Sequence, residues 1–299
     1  MKAWAHTMIK DVLASLTGLA SDTAVLQTAV LVANAFSAHV DCLHVSFVDP
    51  NADIKMADFG WKSAREVDLI RGVQRRTEEL AANAAAAFEG LRDKKKLLVA
   101  ERPSETVSGP SFAYRQISSA CPAETARLAR HHDLTVIARD SPNVVYEPGR
   151  AGTVLLSSGR PILVPPRRSS KTLGFRVAIA WKDTPEAARA VTLSMPFLAR
   201  AESVSVLNAS EGEYDLEKSG ASAAALAENL QWHGIAVKST MLKFSLTPAS
   251  ERILDEAYKL DTDLLVMGGY GHSRLREFVF GGMTREILAE CEIPVLMAN

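Results

Sequence analysis

Residues 261–268 have the sequence DTDLLVMG, and a similar stretch, HHDLTVIA, occupies residues 131–138. Each is a short apolar run that follows an aspartate, Asp263 or Asp133, which is typical of a strand buried on both faces of a parallel sheet. A helical pattern precedes each run, and a short strand that begins at a proline follows each one, at 161–164 and 294–297. The chain therefore contains one structural unit twice.

The segments on the N-terminal side of these stretches correspond as well. First strands are predicted at 10–16 and 175–181, and second strands at 40–48 and 203–207. Third strands are predicted at 96–100 and 235–242. Helices are predicted at 22–37, 64–91 and 122–130 in the first half, and at 185–200, 221–233 and 248–260 in the second. Asp22 and Thr184 are the predicted helix N-caps, because aspartate and threonine side chains accept hydrogen bonds from the first helical amides.

Strands that alternate with helices predict an α/β fold of two tandem doubly wound domains, each with a five-stranded, mostly parallel sheet. We expect the domains at 1–165 and 172–299, with the polar segment PPRRSSK at 165–171 as the linker. The last strand of each half lies at a sheet edge. We expect these two strands to pair about a pseudo-two-fold axis, so that the chain forms its own dimer, and association of two chains remains open.

Composition and charge narrow the classes of partner. The formal net charge of 299 residues is -1, which provides no broad positive field for nucleic acid and no polybasic membrane patch. The N-terminus has no cleavage signal, and no apolar run reaches the roughly 20 residues of a membrane span, so we expect a cytoplasmic protein. The three cysteines have no metal-binding or disulfide spacing and are interpreted as small buried residues.

The sequence MGGYGHSRLREFVFGGMT, residues 267–284, leaves one of these strands and enters a helix. Open α/β sheets bind ligands beyond the carboxyl ends of their strands. Glycines at that edge allow the backbone to approach an anion, which backbone amides and the positive end of a helix then hold. The spacing is specific: two residues separate Gly268 from Gly271, and nine residues separate Gly271 from Gly281.

This spacing resembles the G-x2-G-x9-G-(S/T) nucleotide motif of the universal stress protein family, and the order of strands and helices in both halves also fits that family. The resemblance implies an adenine nucleotide alpha-hydrolase-like fold and a stress-response or regulatory role. It also implies that Gly268, Gly271 and Gly281 contact ATP, or ADP or AMP in its place. The family's hydroxyl position is Gly282 here, which keeps the amide and loses the hydroxyl.

Other residues near this loop have two interpretations each. Lys182 stands where the family often has an aspartate, with Asp183 next to it; Lys182 either pairs with phosphate or points to water. Arg274 and His272 either contact phosphate or are surface side chains of the loop. Glu277 and Glu286 either bind Mg²⁺ or lie on an exposed helix face.

The first half does not keep the loop, because residues 139–143 read RDSPN. We therefore predict a degenerate first site that binds no nucleotide in the same manner. The pair His131 and His132 suggests a metal site, but adjacent helical residues point in different directions, so surface histidines are expected.

Three functions remain open at this point. The first is a regulatory protein that binds an adenine nucleotide in its second domain. The second is a slow ATPase that uses the same loop, although no general base is evident near it and no P-loop is present. The third is a structural module that dimerises and has lost its nucleotide site.

Overall fold

The computed structural model describes residues 9–47, 64–101, 109–139, 150–168, 170–211, 213–244, 247–269 and 282–299. In the first half the strands are β1 (Asp11–Leu16), β2 (His39–Phe47), β3 (Ser111–Ser119), β4 (Leu134–Ile137) and β5 (Ile162–Val164). The helices there are α1 (Asp22–Phe36), α2 (Ala64–Lys95), α3 (Glu124–Ala129) and α4 (Arg150–Ser157).

The second half repeats this order. Its strands are β6 (Arg176–Trp181), β7 (Ser203–Glu211), β8 (Val237–Phe244), β9 (Leu264–Gly268) and β10 (Val295–Ala298). Its helices are α5 (Pro185–Leu198), α6 (Glu213–Trp232), α7 (Ala249–Lys259) and α8 (Gly282–Glu290). The α/β alternation predicted from the sequence is confirmed.

The strands form one sheet in the order β3-β2-β1-β4-β5-β10-β9-β6-β7-β8. Pairing within each half is parallel, whereas β5 and β10 pair antiparallel, with Leu163 opposite Leu296. The predicted pairing of the two last strands is therefore present. The two expected five-stranded sheets are continuous in a single sheet of ten strands.

Each face of the sheet carries one apolar core, and each core contains residues of both halves. Helices α1, α2, α5 and α6 contribute to one face, and α3, α4, α7 and α8 to the other. Across the boundary between the halves, the rings of Phe36 and Phe197 meet edge to face with centroids 4.9 Å apart. Burial of apolar surface on both sides thus joins the halves into one body.

The aspartates that lead β4 and β9 have a structural role at the amino edge of the sheet. Asp133 Oδ2 accepts hydrogen bonds from the backbone amides of Lys10, at 2.8 Å, and Asp11, at 3.1 Å. Asp263 Oδ1 accepts one from the amide of Arg176 at 2.8 Å. In each half, this aspartate ties the start of the first strand to the start of the fourth.

The third strand of the first half was wrongly predicted at 96–100. Helix α2 ends at Lys95, Lys96 has a positive φ of 53°, and Val99 forms only an isolated bridge to Phe112. The third strand is instead β3, which pairs with β2 over its whole length. Because β3 is an edge strand, its second half contains polar and exposed residues, and the apolar run at 97–100 gave the stronger pattern.

Two of the three cysteines are buried as predicted, Cys42 and Cys291, whereas Cys121 is exposed. In the part of the chain that the structure describes, no helix has the length and apolar character needed to cross a membrane.

Candidate functional site

Gly268 brings the end of β9 into contact with the start of helix α5. A Cβ atom at this position would lie 2.6 Å from the nitrogen of Ala187 and 2.9 Å from the carbonyl carbon of Glu186. Such distances are too short for a side chain, so only glycine fits unless the helix moves. The glycine that the sequence assigns to phosphate binding therefore also has a packing role at the carboxyl edge of the sheet.

The first turn of α5 is well formed next to this contact. Thr184 is the N-cap, and its hydroxyl accepts a hydrogen bond from the amide of Ala187 at 3.4 Å, which confirms the sequence prediction. The amide of Thr184 donates to the carbonyl of Lys182 at 2.7 Å, which closes a tight turn. Lys182 and Asp183 are exposed in that turn, at the carboxyl end of β6.

Helix α8 begins at Gly282 and leads into β10, which runs parallel to β9. A helix that connects parallel strands starts at their carboxyl edge, so the amino ends of α5 and α8 belong to the same edge. Gly282 is exposed, and the nearest heavy atom to a Cβ there would be Glu286 Oε1 at 3.9 Å. Free amides at the start of a helix, together with its dipole, favour an anion.

Two polar contacts that sequence reasoning missed tie helix α6 to this edge. The indole nitrogen of Trp181 donates to Ser222 Oγ at 3.0 Å, and the side-chain amide of Asn208 donates to the carbonyl of Ser219 at 3.0 Å. Asn208 is only 3% exposed. A single amide inside an apolar strand is the signal that could have revealed it, because a buried amide needs hydrogen-bond partners.

The remaining residues predicted for the site, Gly271, His272, Arg274 and Gly281, lie outside the described residues, and their roles stay predictions. Glu277 lies there too. Glu286 is described, and its Oε2 accepts a hydrogen bond from Ser250 Oγ at 2.6 Å. Within the described ranges, no group of three histidine, cysteine, aspartate or glutamate side chains could hold a metal ion.

Comparison with known proteins identifies the second half. Residues 176–299 match the model of the universal stress protein family. The second half is a universal stress protein domain. A comparison of the sequence with curated proteins finds no match.

Two solved structures share the fold over nearly the whole length of the chain. A universal stress protein from Archaeoglobus fulgidus superposes with a TM-score of 0.65 at 14% sequence identity, covering 97% of this chain and 98% of its own. A candidate universal stress protein from Pseudomonas aeruginosa has a TM-score of 0.57 at 15% identity, covering 97% of this chain and 93% of its own. These likenesses extend the two-unit fold of universal stress proteins to the first half as well.

At the corresponding edge of the first half, the turn that follows β1 is closed by Asp22 and by helix α2. The carboxylate of Asp22 accepts hydrogen bonds from the amides of Thr17, at 2.8 Å, and Gly18, at 2.7 Å. A Cβ at Gly18 would lie 2.0 Å from the carbonyl oxygen of Leu80, so helix α2 lies directly against this turn. The amides of Thr17 and Gly18 are therefore hydrogen-bonded to Asp22 and are not available to a ligand.

Asp22 also corrects a sequence prediction. The N-cap of α1 is Ser21, which makes no side-chain cap hydrogen bond, and Asp22 is the first helical residue. Its carboxylate turns back to the preceding turn instead of capping the helix, because the amides of Thr17 and Gly18 there need an acceptor.

A cluster of charged side chains lies near the amino edge of the sheet and corrects the prediction of two surface histidines. His131 is exposed, whereas His132 is 6% exposed. Its Nε2 lies 3.6 Å from Asp41 Oδ2 and 3.7 Å from Asp11 Oδ1, and its Nδ1 lies 3.0 Å from the carbonyl of Leu128. Both ring nitrogens face acceptors, which favours the doubly protonated ring.

The carboxylate of Asp41 lies between the side chains of His132 and Arg115. The Nε of Arg115 donates to Asp41 Oδ1 at 3.0 Å, and Nη2 donates to Oδ2. Burial alone would raise the pKa of Asp41, but hydrogen bonds from His132 and Arg115 outweigh it and lower that pKa. Burial alone would lower the pKa of His132, but its hydrogen bond to Asp41 and the charge of Asp11 raise it above the ordinary value.

We expect the contribution of His132 to stability to depend on pH. A raised pKa in the folded state means that this contribution is complete below the ordinary histidine pKa, about 6.5, and is lost as the pH rises through the folded value. Urea unfolding of the wild type and of His132→Gln checks this. The difference in unfolding free energy should be larger at pH 6 than at pH 8.5, and an equal difference at both would contradict the assignment.

Proposed function

We propose that the second domain, 172–299, binds an adenine nucleotide, ATP or else ADP or AMP, at the carboxyl edge of β6 and β9. We further propose that this binding serves a regulatory, stress-response role. In this proposal the first domain, 1–165, binds no nucleotide in the same manner, since Asp22 and α2 fill the corresponding turn. One chain then carries one nucleotide site.

One observation carries the proposal. The spacing G-x2-G-x9-G begins at Gly268, which contacts the first turn of α5, and helix α8 begins at Gly282, directly after the last glycine of that spacing. The positive end of α5 therefore lies at the first glycine of the family's spacing, and the positive end of α8 follows the last one in the sequence. Amides and helix dipoles of this kind bind phosphate without requiring a basic side chain.

The universal stress protein domain lacks the family's hydroxyl at Gly282, which provides a gain-of-function test. Space for a Cβ is available there, so serine should be accommodated. A new hydroxyl that donates to a charged phosphate should strengthen binding by about 1.5 kcal/mol, or roughly tenfold in affinity.

Gly281→Val should weaken binding at least tenfold, because it adds bulk where the backbone is expected to approach the phosphates.

Isothermal titration calorimetry with ATP, ADP and AMP, each with and without Mg²⁺, tests these expectations. Gly90→Ala is the control, since a Cβ at Gly90 has no neighbour within 4 Å and lies in α2. Circular dichroism establishes that each variant is folded. Absence of saturable binding by the wild type, or wild-type affinity in Gly281→Val, would refute the proposal.

A further inference from the structure

Arg139 follows β4 in the first half, and its side chain reaches into the second half. Its Nη1 donates to the carbonyl of Leu288 and its Nη2 to the carbonyl of Cys291, at the C-terminal end of α8. The Nε donates to the carbonyl of Pro165 at 3.3 Å. The last carbonyls of a helix have no partners within the helix, and a cation there also complements the helix dipole.

The helix that Arg139 holds is the one that follows the glycine-rich loop. Helix α8 has 9 residues, from Gly282 to Glu290, so its two ends are separated by about 13 Å. The buried side chains of Ile287 and Leu288 fix its inner face. Because a helix this short moves as one piece, a shift at its C-terminal end changes the position of the amides at its N-terminal end.

The position in the second half that is equivalent to Arg139 is occupied by a glycine, Gly269. Arg139 lies six residues after Asp133, and Gly269 lies six residues after Asp263. A Cβ at Gly269 would lie 2.5 Å from Leu155 Cδ2, so the glycine leaves room for a side chain of helix α4. The guanidinium group of Arg139 therefore binds the end of helix α8 in the second half, whereas Gly269 of the second half contacts the apolar side chain of Leu155 in helix α4.

We propose that Arg139 is a positioning residue through which the first half sets the nucleotide affinity of the second half. It fixes the C-terminal end of α8 and thereby the amides at Gly282. The inference rests on the proposed function, and in it the first half supports the binding site of the second half.

The test compares Arg139→Gln and Arg139→Lys with Arg130→Gln in the full-length chain. Arg130 is a matched control, because its Nε donates to the carbonyl of Ser157 at the end of α4, within the first half. Asp41→Asn controls for general loss of stability. The measurements are the amide hydrogen exchange of residues 285–290 without nucleotide and the dissociation constant for ATP.

In Arg139→Gln we expect exchange in α8 to rise at least tenfold and ATP to bind about tenfold more weakly. Arg139→Lys should recover part of both, since it keeps the charge and loses the planar fork. Both controls should match the wild type in both measurements. Unchanged exchange in Arg139→Gln would overturn the proposal, and so would faster exchange with unchanged affinity. A wild type that does not bind ATP refutes the proposed function and the claim about affinity, while exchange still decides whether Arg139 holds α8.

Discussion

Gly268→Ala is expected to lower the free energy of unfolding by about 3 kcal/mol in the absence of any nucleotide. The added methyl group would lie 2.6 Å from the nitrogen of Ala187 and 3.0 Å from its Cα atom. Both are backbone atoms, which cannot rotate away, so α5 must shift and the packing at the end of β9 is lost. Forcing an extra methyl group into a well-packed site costs about 1–3 kcal/mol, and contact with backbone places this substitution at the upper end.

Urea unfolding of the apo protein measures this effect. Gly220→Ala is the matched control in α6, where the nearest heavy atom to a new Cβ is Met241 Cε at 3.4 Å. Alanine is favoured over glycine inside a helix by about 1 kcal/mol, so this control should be neutral or more stable. If Gly268→Ala unfolds like the wild type, the packing role is wrong and this glycine is required for its ligand alone.

Asp22→Ala should also destabilise the apo protein by about 3 kcal/mol, through a different mechanism. Asp22 is 1% exposed, and its carboxylate accepts from the amides of Thr17 and Gly18 and from the Thr17 hydroxyl. Its removal leaves the buried amide of Gly18 and two part-buried donors of Thr17 without an acceptor, and a buried donor left in this way costs about 1–3 kcal/mol. Asp22→Asn keeps one acceptor oxygen and should lose less.

Thermal and urea unfolding check this prediction, with Asp93→Ala as the control. Asp93 pairs with Arg92 at the surface, with a side chain 70% exposed, and such pairs contribute little. Equal stability of Asp22→Ala and Asp93→Ala would show that the amides of the 17–18 turn find water or another partner. The inference that Asp22 closes this turn to a ligand would then be wrong.

Much of the fold was accessible from the sequence, because buried parallel strands are marked by apolar runs. The runs after Asp133 and Asp263 revealed the repeat, and Thr184 was correctly placed as a helix cap. The edge strand β3 was missed because its residues after Ala113 are partly or fully exposed, which weakens the apolar pattern. The roles of Asp22 and His132 were misread for another reason, because their partners depend on the fold. The acidic partners of His132 are distant in sequence, and the partners of Asp22 lie across the preceding turn.

The candidate site was accessible only in part. Glycine spacing indicated where the loop lies, but it could not reveal that Gly268 is also required by the approach of α5. Nor could it reveal the link from Arg139 to α8, since residues 139 and 288 belong to different halves that come together where β5 pairs with β10. Contacts of this kind depend on how the two halves meet, which periodicity within each half does not describe.

The antiparallel junction of β5 and β10 has an evolutionary consequence. Where two identical subunits meet about an axis, every substitution occurs twice, and a change that helps one side is imposed on the other. Here both sides are encoded separately, so arginine at position 139 and glycine at position 269 can coexist. A substitution in one half therefore leaves the matching position of the other half unchanged, and the two halves can carry different residues at the same place in the fold.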